Sequence, residues 1–340
     1  MLPTADDKVV GGADDGRMQS PVRNDTSSVI SARGLTKRFG DRVAVDGLDL
    51  DVPRGVVAGF VGPNGSGKTT TMAMLLGLVR ATSGTGHVLG SPITDPASYS
   101  RRVGALIETP AFYNHLTGAQ NLHVLAIAGR HDADIPALLE LVGLADRADD
   151  RYRTYSLGMK QRLGIAAAMI GDPELLVLDE PSNGLDPQGM REMRELIERL
   201  ARADRTVLVS SHMLSELEQV CDWLVLIDTG RSVYQGPAAD FLEDGAALAI
   251  APQRTEDLDV LLRVVTGNGL PAQRNAERVI IPLRGRERLD LAAEVNAAAF
   301  GAGVVLVEIA PVRDTLEERY LSLVAAPAAF EPTTANGASS

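Results

Sequence analysis

The amino-acid sequence predicts an α/β fold: a parallel sheet covered on both faces by helices, followed by a smaller C-terminal α/β unit. Three observations predict it. Short apolar runs at 56–61, 175–179, 207–210 and 223–227 read as buried strands and alternate with helical stretches, which is how a covered parallel sheet is written. The first run ends in a glycine-rich turn that opens a helix over 68–78. After Gly236-Pro237, strand-like and helix-like segments begin afresh.

Taken in order, residues 1–27 hold Gly, Asp, Pro and Asn with little periodic hydrophobicity, and 326–340 is Ala, Pro, Thr and Ser, so both are expected to be disordered tails. Residues 45–52 alternate apolar and polar like a half-buried strand. Residues 101–165 lack strands beyond 103–107 and read as mostly helical, an insertion into the sheet. Met193, Leu196, Ile197 and Leu200 fall at i, i+3, i+4 and i+7, one face of a helix. The C-terminal unit, 245–325, begins with a strand at 246–250 and a helix from Thr255 that puts Leu258, Leu261, Leu262 and Val265 on one face. Strands at 279–283 and 304–309 flank a helix over 289–299, and Asp314, three before Glu317, starts a last helix that ends near Val324.

Composition excludes several classes. With 33 basic and 45 acidic residues the net charge is −12, which argues against a nucleic-acid binder, and the pairs Lys37-Arg38 and Arg101-Arg102 are too short to be binding patches. The single cysteine, Cys221, allows neither a disulfide framework nor a multi-cysteine zinc site and reads as packing. His87, His115, His123 and His131 lack metal-ligand spacing. No apolar run reaches the ~18 residues of a membrane span, so direct membrane insertion is not expected. The start lacks a signal-peptide plan, so the protein is expected to stay where it is made.

Gly62-Pro63-Asn64-Gly65-Ser66-Gly67-Lys68-Thr69-Thr70 fits G-x-x-x-x-G-K-[ST] between a strand and a helix, the setting of a P-loop. Glycines let backbone N–H groups surround phosphate oxygens, Lys68 neutralises the terminal phosphates and the Thr69 hydroxyl can ligate Mg²⁺. Gly62, Asn64, Gly65, Ser66, Gly67, Lys68, Thr69 and Thr70 are therefore candidates for binding ATP. The strand at 175–178 ends in Asp179, a candidate for Mg²⁺, and Glu180, which can polarise the water that attacks the γ-phosphate.

Between these lies Tyr155-Ser156-Leu157-Gly158-Met159-Lys160-Gln161-Arg162, and with it the chain resembles the nucleotide-binding subunit of an ABC transporter over 28–240. The stretch is similar to that family's Leu-Ser-Gly-Gly-Gln signature, with Tyr155, Leu157 and Met159 replacing the first, third and fifth members. The resemblance implies a P-loop NTPase core with a small antiparallel β subdomain and a helical subdomain near 101–165. It also implies that Ser156 and Gly158 bind the γ-phosphate of ATP held on a partner's P-loop, so that a homodimer or pseudo-dimer encloses two composite sites. By the same resemblance Phe39 stacks on adenine, Asn183-Gly184-Leu185-Asp186 is the D-loop, and His212 is a switch histidine near the γ-phosphate; Glu180, His212 and Lys68 are the catalytic candidates. A separate transmembrane permease would hold the subunit at the cytoplasmic face of the membrane.

One departure narrows the resemblance. Where most members carry glutamine beside Mg²⁺ and the attacking water, Ile107-Glu108-Thr109-Pro110-Ala111-Phe112-Tyr113 supplies Glu108, a further metal and nucleotide candidate. This stretch and the terminal Leu316-Glu317-Glu318-Arg319-Tyr320-Leu321 are similar to ATPase subunits of bacitracin- and lantibiotic-type exporters. The alternative, a soluble ATPase of this class in translation, repair or regulation, would call for two P-loops, a long coiled-coil or zinc insertion, or lost catalytic residues, and the sequence has none of these.

Overall fold

A computed structural model describes residues 28–108, 111–201, 205–243, 246–283, 285–313 and 316–325. The chain opens with β1 (Ser28–Phe39) and β2 (Arg42–Pro53), a hairpin that turns between Phe39 and Arg42. β3 (Val57–Val61) and α1 (Lys68–Leu75) follow, then β4 (Ser83–Val88), β5 (Ser91–Pro92) and β6 (Val103–Leu106). The largely helical stretch holds α2 (Gly118–Gly129), α3 (Ile135–Leu141) and α4 (Leu157–Ala168). Next come β7 (Leu175–Leu178), α5 (Pro187–Ala201), β8 (Thr206–Ser211), α6 (Leu214–Leu217), β9 (Trp223–Asp228), β10 (Arg231–Pro237) and α7 (Ala238–Glu243). The C-terminal part is β11 (Ala246–Pro252), α8 (Leu258–Gly267), β12 (Gln273–Asn275), β13 (Arg278–Pro282), α9 (Arg288–Gly301), β14 (Leu306–Arg313) and α10 (Leu316–Ala325).

The central sheet has the order β10-β9-β3-β8-β7-β6, parallel from β9 to β6, with β10 added antiparallel to β9. Every residue of β3, β7 and β8 is buried, which is why those runs are apolar without alternation. Their side chains still alternate between two cores. Ala58, Phe60, Val177 and Leu208 face α1 and the antiparallel sheet β2-β1-β4-β5. Val61, Leu176, Leu178 and Val209 face Met193, Leu196, Ile197 and Leu200 of α5 and the helical stretch. Gly59 on β3 has Cys221 against it, whose Sγ would lie 2.8 Å from an added Cβ, so the cysteine is a packing residue as expected.

Five strands were not foreseen: β1, β4, β10 and the short β5 and β12. β4 is mostly polar, and β1 is bulged at several points in its pairing with β2, which hides the two-residue period. β10 lies at the sheet edge with mostly half-buried residues. The helix expected over 68–78 stops at Leu75, because Gly77 takes φ +71° and the amides of Gly77 and Leu78 close the end on Met74 O and Ala73 O.

The C-terminal sheet, β12-β13-β11-β14, is antiparallel and packs Leu248, Ile250, Val279 and Ile281 against Leu258, Leu261, Val265, Leu291 and Val295 of α8 and α9. In α10, Leu316 and Tyr320 instead join Leu214, Leu217, Val220 and Phe241 in the main core, and the Arg319 guanidinium stacks on Phe241 at 5.1 Å. The expected cap, Asp314, lies outside the described residues.

A surface triad ties the strand starts together. Arg102 bonds both oxygens of Glu174 at 2.5 and 2.9 Å, and Arg54 reaches it at 3.2 Å. The Arg102 hydrogen bond, with help from Arg54, lowers the Glu174 carboxyl to about 2. A depressed carboxyl stabilises the fold above its unfolded value of 4.5 and loses that contribution as pH falls toward 2. Glu174 is half exposed, so screening limits the gain to below about 1 kcal/mol. Glu174→Gln is expected to be slightly less stable than wild type at pH 7, with the difference shrinking as pH falls through that window. Urea unfolding of both chains at pH 7 and pH 3 measures this, and an unchanged gap would contradict the assignment.

Candidate functional site

Because β3, β8, β7 and β6 run parallel, their C-terminal ends open on one edge of the sheet. Val61 pairs with Ser211, Leu178 with Val209 and Leu106 with Leu178. Gly62, His212 and Asp179 with Glu180, which follow these strands directly, and Glu108, two residues past Leu106, are thereby brought to the same edge.

The P-loop joins β3 to α1 under tight constraint. A Cβ on Gly62 would stand 2.3 Å from Ile227 O, so the loop leaves the sheet at a distance only glycine permits. Gly67 takes φ +103° and a Cβ there would lie 2.6 Å from Ala44 O in β2. Gly230, in the β9–β10 turn, donates its amide to Ser66 O at 2.9 Å and holds the loop from the other side. Gly67 caps α1 without a side-chain bond, leaving first-turn amides available, and the buried Ser66 Oγ has no partner. An uncapped helix start, an orphaned buried hydroxyl and a glycine cradle fit a phosphate group. Lys68 is buried and donates to Gly62 O at 2.7 Å, with Pro63 O at 3.3 Å and Glu180 Oε1 at 3.2 Å.

The carboxylates have distinct partners. Asp179 Oδ2 accepts from Thr69 Oγ1 at 2.7 Å and Oδ1 accepts from Ser210 Oγ at 2.5 Å. Ser210 Oγ in turn accepts the Glu180 amide at 2.9 Å. Glu180 Oε2 lies 2.6 Å from His212 Nδ1, and a carboxylate can only accept, so Nδ1 carries the proton. Glu180 is in the left-handed region at φ +49°, and Glu108, two residues past the end of the neighbouring strand β6, at φ +60°. Each such residue costs roughly 1–2 kcal/mol, which the amide bonds at Glu180 and at Asp179 N to Leu106 O help to offset. The result is a carboxylate held between a cation and an imidazole beside a phosphate cradle. It can take a proton from water there.

Of the sequence candidates, Lys68, Thr69, Asp179, Glu180 and His212 form one bonded cluster. Asn64 and Gly65 are exposed on the loop and Thr70 is half-buried. Glu108 is exposed at the same edge. Phe39 stands 51% exposed at the β1–β2 turn with the Lys37 amine 4.8 Å from its ring centre, an open aromatic face. Ser156 caps α4 by accepting from Met159 N, and Asp186 caps α5 by accepting from Gly189 N at 2.9 Å. A Cβ on Gly158 would lie 3.5 Å from Leu185, so the signature stretch abuts the D-loop of its own chain. Among the described residues, Phe39, Ser156, Gly158 and Asp186 make no hydrogen bond to the cluster. Sequence reasoning passed over Ser210 and Gly230; the signal for the first was a polar pair, Ser210-Ser211, closing an apolar strand, and Gly230 had none.

Among the described residues there is no group of three or more His, Cys, Asp or Glu side chains suited to a metal ion, and no helix long and apolar enough to cross a membrane. The oxygens of Thr69 and Asp179 are hard donors of the kind Mg²⁺ takes when phosphate and water complete its shell.

A family profile described as ABC transporter matches residues 45–183. The chain is 45% identical over 215 residues to the bacitracin transport ATP-binding protein BcrA of Bacillus licheniformis, covering 62% of this chain and 70% of that protein. It is 34% identical over 304 residues to the ABC transporter ATP-binding protein YdbJ of Bacillus subtilis, covering 88% and 96%. Its fold matches the ATP-binding cassette MJ0796, solved as a dimer bound to ADP and Pi, with a TM-score of 0.55, 20% identity, and 62% of this chain and 98% of that one covered. None of these relatives supports the soluble alternative. The chain belongs to the ABC transporter ATP-binding proteins and is an ATP-binding subunit that hydrolyses ATP.

Proposed function

We propose that this subunit powers export of a peptide antibiotic or related drug through a separate transmembrane permease, working as a homodimer or pseudo-dimer at the cytoplasmic face of the membrane. The likeness to a bacitracin transport ATP-binding protein carries the reading, and Glu108 within Ile107-Glu108-Thr109-Pro110 supports it; Thr109 and Pro110 lie outside the described residues.

In the proposed cycle the triphosphate of ATP sits on the α1 amides, Ser66 Oγ and Lys68. Phosphate oxygens compete with Glu180 for Lys68, and Glu180 keeps its second oxygen on His212 Nδ1. That leaves Oε1 to accept the proton of the attacking water, with His212 fixing the carboxylate. Thr69 and Asp179 would hold Mg²⁺, which neutralises phosphate charge when bound, and Glu108 would lie near it as a coupling residue toward the permease. Phe39 offers its face to adenine. Ser156, Gly158 and Asp186, which make no hydrogen bond to their own P-loop cluster among the described residues, would complete the site on the partner.

Co-expression with the cognate permease in a peptide-antibiotic-sensitive host tests the function. Protection by wild type but not by Glu180→Gln is expected; no protection against any peptide antibiotic, together with no drug-stimulated ATPase, would overturn the export reading. The composite site has its own test. Gly158→Asp puts a carboxylate against the partner's γ-phosphate, where like charges in poor solvent repel. ATP binding by the monomer should survive within about twofold while ATP-dependent dimerisation is lost, since only the trans contact is charged. Light scattering and nucleotide titration read the two quantities, and a collapse of monomer affinity with normal dimerisation would refute the trans assignment.

A further inference from the structure

We infer that Lys37 is a positioning residue for the nucleotide base. Its amine lies against one face of Phe39, ties that ring to the segment that follows the P-loop helix, and leaves the other face for the base. The inference rests on the reading of Phe39 as the adenine platform.

Phe39 is the last residue of β1, at a turn, and is absent from each of the three buried cores. A ring without packing neighbours turns freely about its side-chain bonds, and a ligand that stacks on it must first stop that motion. Lys37, two residues earlier on β1, supplies the missing contact. Its Nζ stands 4.8 Å from the ring centre, within the range of a cation–π contact, and donates to Arg80 O at 2.7 Å. A lysine kept only for solubility would hold its amine in water rather than on a carbonyl and a ring.

The backbone around Lys37 is arranged to the same end. Pairing of β1 with β2 slips on both sides of it, between Leu35 and Lys37 and between Lys37 and Arg38. Irregular register of this kind re-aims side chains, and here it falls on the residue that meets the ring. Residues 80–82 are bonded to the same stretch of β1: Thr82 N donates to Thr36 O at 2.8 Å, and Thr82 Oγ1 accepts from Arg38 N at 3.0 Å. Arg80 lies five residues beyond the end of α1, whose first residue is Lys68 of the cradle. The Lys37 bond therefore fixes the ring relative to the element that holds phosphate. A nucleotide has to reach both anchors at once, so their spacing matters as much as either contact.

Lys37→Met keeps the stem and removes both charge and donor, whereas Lys37→Arg keeps a cation that can stack on the ring and donate. Affinity of the full chain for MgADP is measured by calorimetry, and affinity for inorganic tripolyphosphate, which has no base, by inhibition of the ATPase. The rate kcat and thermal unfolding are recorded beside them. Lys37→Met is expected to bind MgADP about fivefold more weakly, with kcat and the tripolyphosphate inhibition constant each within about twofold of wild type, because the base contact is loosened while the cradle is untouched. Lys37→Arg should stay within about twofold of wild type for both ligands. The Lys37→Met/Phe39→Ala double variant should bind MgADP no more weakly than Phe39→Ala, since Lys37 acts through the ring. An equal weakening of tripolyphosphate and MgADP would put Lys37 on the phosphates or the cradle and overturns the proposal. Additive losses in the double variant overturn it too. Weaker MgADP binding in Phe39→Ala beside wild-type affinity in Lys37→Met rejects this inference alone; wild-type affinity in both rejects the adenine reading beneath it.

Discussion

Glu180→Gln is expected to lower ATP turnover by about 10²–10⁴-fold, the range lost with a general base, while nucleotide binding is kept or tightened. Glutamine preserves the size of the side chain and a hydrogen bond to His212, but it has no basicity to take a proton from water. It also gives up the 3.2 Å ion pair with Lys68, so phosphate no longer competes with a carboxylate for that amine. Turnover by phosphate release and affinity by nucleotide titration separate the two effects. If the proposed dimer is correct, this variant accumulates as an ATP-bound dimer on size exclusion. Wild-type turnover would remove Glu180 from the mechanism, whatever the dimer does.

Lys68→Ala is expected to weaken ATP binding by about 10–100-fold, corresponding to one charge-assisted hydrogen bond of roughly 1.5–3 kcal/mol. Lys68 is 5% exposed and its amine is already placed by Gly62 O, so ATP would meet a pre-oriented cation that owes no rotamer entropy on binding. The substitution leaves Glu180 with its hydrogen bond to His212 at the edge of the cluster, so the fold should persist. The clearest measurement is the rise in Tm on adding ATP, which follows from ligand binding to the folded state and should be clearly smaller in the variant than in wild type at the same ATP concentration. An equal rise in both chains would mean that Lys68 does not contact phosphate.

The sequence by itself determined the parallel sheet, the P-loop and the acidic strand end, because each is written locally. The fully apolar runs of β3, β7 and β8 need no knowledge of their neighbours to be recognised as buried on both faces. The glycine spacing before Lys68 states the cradle in nine consecutive residues. His212, an ordinary residue in isolation, was reached through the family resemblance, and the structure places its ring on Glu180. Bulged β1 and edge strand β10 could not be recognised locally, since their pairing comes from residues far away in sequence. What tertiary structure alone decided is how these pieces bond at the sheet edge. Ser210 connects Asp179 to the Glu180 amide only because β8 and β7 are neighbours, and Gly230 holds the P-loop only because the β9–β10 turn folds back onto it. In the same way α10, more than a hundred residues from His212 along the chain, packs beneath the short helix that follows it. Contacts of this kind are set by strand order and layer packing, long-range choices that carry no local period or motif, so they become visible only once the chain has closed on itself.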